Sequence, residues 1–336
     1  MRDMLLAGDV GGTKTVLALV DAAGADATVV TAAFESRRYD GLQPILHEFL
    51  HGASGRVRHA AFAVAGPVLD GAALLTNLGW HVDTRGLAVD LGLGSAVLVN
   101  DVQATAFAVP LLAGDALTTL QPGQPDPDGV RAVIAPGTGL GEAYLVPSRS
   151  GFVARASEGG HSDFAPADEA QLELLRFLWR TTPHVSYEQV CSGRAIPDLY
   201  RFLRDSGAEQ EPTWLAEQVA ASDDPTPAIM LSALKPGVDG AIGRRTVSLF
   251  VDILAAEVGN VALRMLPMGG LYLGGGIPPR ILPALRDAAF LRAFGAKGRM
   301  AELMSAFPVH VILDPAAALA GAIAYARAEA ALAQVD

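Results

Sequence analysis

Asn100-Asp101 follows the apolar run Ser95–Val99, which reads as a buried strand. In open α/β sheets ligands bind at the carboxyl ends of strands. A carboxylate there can accept a proton from a substrate hydroxyl, and the neighbouring amide can orient the same ligand. Asn and Asp are also favoured helix caps, so capping of a helix near Gln103 stands beside catalysis here. Glu158-Gly159-Gly160-His161 sets a carboxylate and an imidazole three residues apart on a bent backbone, and Glu188 adds a second carboxylate before a helical pattern. Short, rigid hydrogen-bonding groups of this kind suit a ring of hydroxyls. Metal binding lacks a spacing signal: His161 belongs to no HxxxH or HExxH pattern, and the single cysteine, Cys191, excludes a Cys-based zinc cluster. Cys191 reads as a small packing residue.

The second chemistry is anion binding. Gly8, Asp9, Val10, Gly11, Gly12 and Thr13 (GDVGGT) lie between the apolar runs Met4–Ala7 and Val16–Val20. The stretch approaches a Walker A loop but has Thr13 where the second glycine belongs, and it leads into a strand instead of a helix. A β-hairpin follows, with a tip that either holds phosphate through backbone N–H groups or is an ordinary glycine turn. Gly137 and Thr138 (GTGLG, to Gly141) form a second such tip after Arg131–Ile134. Gly274, Gly275 and Gly276 end a third strand, Leu271–Leu273. Turns of one form in both halves of the chain would grip a polyphosphate from two sides if the halves face each other. Lys14 reads as a solvated strand residue.

These turns need strands and helices to hold them, and the chain alternates the two. At 336 residues the length suggests two domains. We expect a small α/β domain from residues 1–110 plus 315–336 and a large one from 111–314, with the loop Gln121–Gly129 as a boundary marker. Helices are expected at Leu42–Leu50, Arg85–Leu91, Gln103–Leu112, Glu169–Trp179 (capped by Asp168), Arg194–Arg204, Thr213–Ala221, Arg245–Met265, Pro278–Phe294 and Ala316–Ala333. The net charge of −11, without a Lys/Arg block, argues against nucleic acid or an anionic membrane as partner. No apolar run reaches the roughly 18 residues of a membrane span, and the start of the chain reads as a strand, not a signal peptide. With one cysteine, these features favour the cytoplasm.

The motifs together resemble the bacterial glucokinase family, within the hexokinase/actin-like ATPase superfamily. They are GDVGGT, VND at Val99–Asp101, GTGLG, SEGGHSDFAP at Ser157–Pro166, HVSYEQVCSG at His184–Gly193, GGGIPPR at Gly274–Arg280 and KGR at Lys297–Arg299. The resemblance implies a two-lobed actin-like ATPase (ribonuclease H-like) α/β fold, with mixed sheets flanked by helices and a cleft between lobes. It implies a glucose 6-kinase using ATP and Mg²⁺, with glucose and ATP as small-molecule partners and a homodimer as assembly. By the same resemblance Asp101 is the general base. Asn100, Glu158, His161 and Glu188 bind the other sugar hydroxyls. Gly8–Thr13, Gly137 and Thr138 hold the phosphates, Gly275 and Gly276 lie by the nucleotide, and Asp9 sits near Mg²⁺ through water. Related ROK sugar kinases carry a Cys-rich zinc motif that this chain lacks. Lys14, Val102 and Asp314-Pro315-Ala316 depart from the family pattern. The alternatives are a kinase of another hexose, a sugar sensor without turnover, and an actin-like or chaperone ATPase.

Overall fold

The run Met4-Leu5-Leu6-Ala7 is apolar at every position because the strand that contains it is covered on both faces. This is β1 (Asp3–Val10), the centre of a five-stranded sheet with β2 (Lys14–Asp21), β3 (Thr28–Glu35), β4 (Arg56–Val64) and β8 (Ser95–Asn100). The order is β3-β2-β1-β4-β8, with β1 antiparallel to β2 and parallel to β4, and β4 parallel to β8. Met4 and Leu6 face one hydrophobic cluster, while Leu5 and Ala7 face others on the opposite side. A strand buried on both faces loses the usual apolar–polar alternation. Three short strands, β5 (Val68–Leu69), β6 (Ala72–Leu75) and β7 (Trp80–Asp83), form a separate antiparallel sheet. The sequence Thr76-Asn77-Leu78-Gly79-Trp80 reads as a polar loop; Thr76–Gly79 is the turn between β6 and β7, and Trp80 begins β7.

The computed structural model describes residues 3–333 apart from 23, 25–27, 54, 150, 235, 236 and 238. A turn is also expected from Asp21-Ala22-Ala23-Gly24, and this expectation, like the entry at residues 1 and 2, lies partly outside the described residues. Two compact units emerge. The first comprises residues 1–114, 148–156 and 314–336, and the second 115–147 and 157–313. The segment 148–156, which holds all of β12 (Gly151–Ser157) but its last residue, thus groups with the first unit. The loop Gln121–Gly129 is no boundary. It lies inside the second unit, because the strand before it, β9 (Leu117–Gln121), pairs with another strand of that unit.

The second unit repeats the logic of the first. A hairpin of β10 (Arg131–Pro136) and β11 (Leu140–Ser148) extends by parallel pairing of β10 with β13 (Gly270–Leu273) and of β13 with β14 (Val309–Ile312). β9 closes the edge antiparallel to β14. The helix Ala241–Met265 is the spine of this unit. It is long and apolar enough to cross a membrane by length and composition, but 78% of its apolar window is buried inside the unit. The single helix expected from Pro278 to Phe294 is instead two, Leu282–Leu285 and Ala288–Gly295, because Asp287 caps the second by accepting from the Ala289 N–H at 2.8 Å. The helix Thr226–Leu234 went unread.

The helix Asp101–Ala108 is locked to the C-terminal helix Ala317–Leu332. Phe107 stacks on Tyr325 at 4.3 Å, and Gln103 Nε2 donates to the Tyr325 hydroxyl at 3.2 Å and to the Ala154 carbonyl at 3.1 Å. Close approach requires Gly321: a methyl there would overlap the Ala104 carbonyl oxygen. Gly321→Ala is expected to destabilise the protein by about 1–3 kcal/mol, the usual cost of overpacking. Thermal unfolding checks this, and an unchanged melting temperature would contradict it.

Candidate active site

In the first unit the chemistry gathers at the carboxyl ends of β1 and β8. Asn100 caps the helix that starts at Asp101, its Oδ1 accepting from the Val102 and Gln103 N–H groups at 3.0 and 3.1 Å. Its Nδ2 donates to the Gly66 carbonyl at 3.2 Å. Capping, one of the two readings open from sequence, thus belongs to Asn100. Asp101 is left as the first helical residue, and its Oδ1 accepts from the Val102 N–H at 2.9 Å. The carboxyl is shielded from water, and this desolvation raises its pKa from 3.8 to about 6, against the pull of backbone hydrogen bonds and of Asn100. Asp9, at the end of β1, is also raised to about 6, first by desolvation and then by the negative charge of Asp101, with Lys14 opposing. Lys14 is exposed at the start of β2, as expected, and still reaches Asp9 electrostatically.

The tip of the first hairpin is braced by residues that its motif does not contain. The Gly11 N–H donates to the Lys14 carbonyl at 3.0 Å, and the Ser36 N–H to the Thr13 carbonyl at 3.1 Å. Ser36 Oγ donates to the Gly11 carbonyl at 2.7 Å and lies 3.0 Å from Thr15 Oγ1. Ser36 and Thr15 are fully buried, so sequence alone gave no sign of them beyond their polarity.

In the second unit the glycine turns meet one another. The Gly193 N–H donates to the Gly137 carbonyl at 2.7 Å, the Gly137 N–H to the Gly139 carbonyl at 2.8 Å, and the Ile277 N–H to the Pro136 carbonyl at 3.3 Å. Gly275 has φ 80 and sits against the Pro136 carbonyl, where a Cβ would come within 2.7 Å. Gly137 and Thr138 are thereby brought beside Gly275 and Gly276. Glu188 joins them: its Oε2 accepts from the Leu140 N–H at 2.9 Å and its own N–H donates to the Gly160 carbonyl at 2.8 Å. Glu158 and His161 stand on the same turn, 3.8 Å apart at Oε2 and Nε2, with side chains 65% and 58% exposed. That exposure leaves both free to meet a ligand, and the pair is too loose to hold itself closed.

Two other sequence readings are settled. Cys191 is fully buried, and burial followed by the charges of Glu257 and Glu142 pushes its thiol pKa well up, so it is inert packing. Lys297 of the KGR motif is structural: Nζ donates to the Ala256 carbonyl at 2.9 Å and to Asn260 Oδ1 at 2.7 Å. Among the described residues no group of three or more His, Cys, Asp or Glu side chains could hold a metal.

A catalytic base must be ionised. If Asp101 is that base, kcat/KM falls with acidification below about pH 6, as its raised pKa dictates. A pH–rate profile checks this, and a profile flat to pH 5 would contradict it.

Known proteins supply the comparison. The glucokinase family model matches residues 6–329. A glucokinase of Nostoc punctiforme is 39% identical over 334 residues, covering 95% of this chain and 97% of its own. The crystal structure of a glucokinase from an Antarctic psychrotroph superposes with TM-score 0.80 at 30% identity, covering 98% of this chain and 100% of the other. A ROK family glucokinase from Streptomyces griseus, in complex with glucose and AMPPNP, shares the fold at TM-score 0.64 and 20% identity, covering 97% and 99%. The fold is thus that of the actin-like ATPases. A match that runs from the first hairpin to the C-terminal helix leaves no part of the architecture unaccounted for, and the chain belongs to the glucokinase family.

Proposed function

We propose that this protein transfers the γ-phosphoryl group of ATP to the 6-hydroxyl of D-glucose. The observation that carries the reading is Asp101, a desolvated carboxyl at the end of a central strand, beside a second carboxyl at the foot of a glycine-rich hairpin. The Streptomyces griseus relative with glucose and AMPPNP supports the two substrates. In this mechanism Asp101 orients the hydroxyl and takes its proton as the new P–O bond forms. Asn100, fixed as the helix cap, presents an amide to a neighbouring hydroxyl. Glu158, His161 and Glu188 bind the remaining hydroxyls, with Glu188 pre-set by the Leu140 N–H. Backbone N–H groups of Gly8–Thr13, Gly137 and Thr138 offset phosphate charge, which is where phosphoryl transfer needs most help. Gly275 and Gly276 allow the nucleotide to approach the backbone.

Mg²⁺ needs no protein cage, since one or two carboxylates and the substrate phosphates suffice. Asp9 fits that role through water, and the ion would neutralise phosphate charge when bound. A cytoplasmic homodimer at the entry to glycolysis completes the reading. The deciding experiment is coupled ADP release with MgATP and a panel of hexoses. Glucose should give the highest kcat/KM. A faster epimer would reassign the substrate, and ADP formation independent of sugar would replace the kinase with an ATPase.

A further inference from the structure

Beneath the Glu158–His161 turn lies a carboxylate that the mechanism does not use. Glu142 on β11 is 1% exposed, and Glu257 on the helix Ala241–Met265 is fully buried. The Tyr144 hydroxyl donates to Glu142 Oε2 at 3.1 Å, whereas Glu142 Oε1 has no hydrogen-bond donor. The Glu142 and Glu257 carboxyls are within hydrogen-bonding reach of each other. Glu257 is otherwise fully engaged, by an ion pair with Arg264 and by Asn260 Nδ2 at 2.9 Å. Asn260 Nδ2 also donates to the Tyr187 hydroxyl at 2.9 Å, and Lys297 holds Asn260 Oδ1. Both nearby cations, Arg264 and the Lys297 ammonium, act on Glu257, and Glu142 is the carboxyl left with an orphaned oxygen. A proton between the two carboxyls satisfies that oxygen and spares Glu142 an ionised, desolvated charge.

The pair touches the turn directly. A methyl at Gly159 would overlap Glu142 Oε2, and the Gly159 N–H donates to Ser157 Oγ at 3.0 Å, the hydroxyl that also bonds Tyr144. The same strand, β11, supplies the Leu140 N–H that fixes Glu188. We propose that Glu142 and Glu257 share one proton, and that this half-neutral pair is the positioning element holding the Glu158–His161 turn and Glu188 for the sugar. The proposal rests on the hexose reading of that turn.

Desolvation, followed by the charge of Glu257, raises the Glu142 pKa to about 7, with Arg264 pulling the other way. Tyr144, Tyr187, Cys191 and Lys297 are the other titratable groups facing the pair. All three hydroxyl and thiol groups are raised and stay neutral near pH 7. Losing the shared proton sets two like charges against each other below Gly159 and drives β11 from the turn. Sugar affinity is then lost as pH rises.

Two measurements test this on the full-length protein. The infrared difference spectrum near pH 6, wild type minus Glu142→Gln, should show a protonated-carboxyl C=O band, the contributions of Asp9 and Asp101 cancelling. In wild-type kinetics the KM for glucose should rise about tenfold per pH unit above pH 7, one proton being linked to binding, with the KM for ATP unchanged. Glu142→Gln, permanently neutral, should remove that rise. If Glu142→Gln does not fold, Glu257→Gln serves, because ionising Glu142 beside a neutral amide sets no like charges against each other, and the rise in KM should disappear. Absence of the band, or an equal rise in KM in the variants, overturns the proposal. A band without glucose-dependent turnover retains the shared proton but removes the hexose reading and the positioning role with it. Turnover without a band removes the pair alone.

Discussion

Asp101→Asn is expected to lose kcat by at least about 10²-fold while glucose binding changes by no more than a few-fold. The amide keeps the size of the carboxyl and its hydrogen bond from the Val102 N–H, but it cannot take a proton. The same substitution should stabilise the fold at pH 7. The folded pKa of Asp101 is raised from 3.8 to about 6, so the native state prefers the protonated form. That preference favours folding below pH 3.8 and is lost as pH rises through about 6. At pH 7 the ionised carboxylate therefore costs the wild type about 3 kcal/mol, an upper figure that the neutral amide avoids. Loss of turnover together with a higher melting temperature is a pattern that simple misfolding cannot produce. Near wild-type turnover in this variant would remove Asp101 from the role of base.

The second large effect is at Glu188. Its carboxylate accepts from the Leu140 N–H and would also accept a sugar hydroxyl, so Glu188→Ala loses a substrate contact and leaves a backbone donor unpaired. A site built to hydrogen-bond a hydroxyl discriminates strongly when the bond is lost, and kcat/KM for glucose should fall on the order of 10³-fold. The KM for ATP should barely move. Glu188→Gln keeps one acceptor oxygen and should fall only about tenfold, consistent with the gap between neutral and charge-assisted hydrogen bonds. Equal kcat/KM in Glu188→Ala and wild type would show that Glu188 only braces the Gly160 turn.

Much of the site was legible because its chemistry is local. GDVGGT and GTGLG are runs that would act through their own backbone, the SEGGH turn sets Glu158 and His161 three residues apart on one bend, and a resemblance carried on contiguous motifs identifies them. Helices with a strong apolar face, such as Leu42–Leu50, were legible for the same reason. Short-range competition was not: Asp287 splits the expected helix at Pro278–Phe294 through one cap bond. The residues bracing the motifs were also hidden. Ser36 reaches Gly11 across 25 positions and Glu257 lies far along the chain from Glu142, so neither spacing nor composition links them. Glu142 left a faint signal, a carboxylate on the same strand face as Leu140 and Tyr144.

The sequence by itself determined which backbone turns can meet an anion, which side chains can meet hydroxyls, and the family that combines them. Only the tertiary structure decided which of Asn100 and Asp101 is the cap and which carboxyl is free. It alone decided that Glu142 and Glu257 would be buried together. The physical reason is that protonation and desolvation depend on neighbours brought together by packing, and a linear pattern carries no record of the distance between residues remote in the chain.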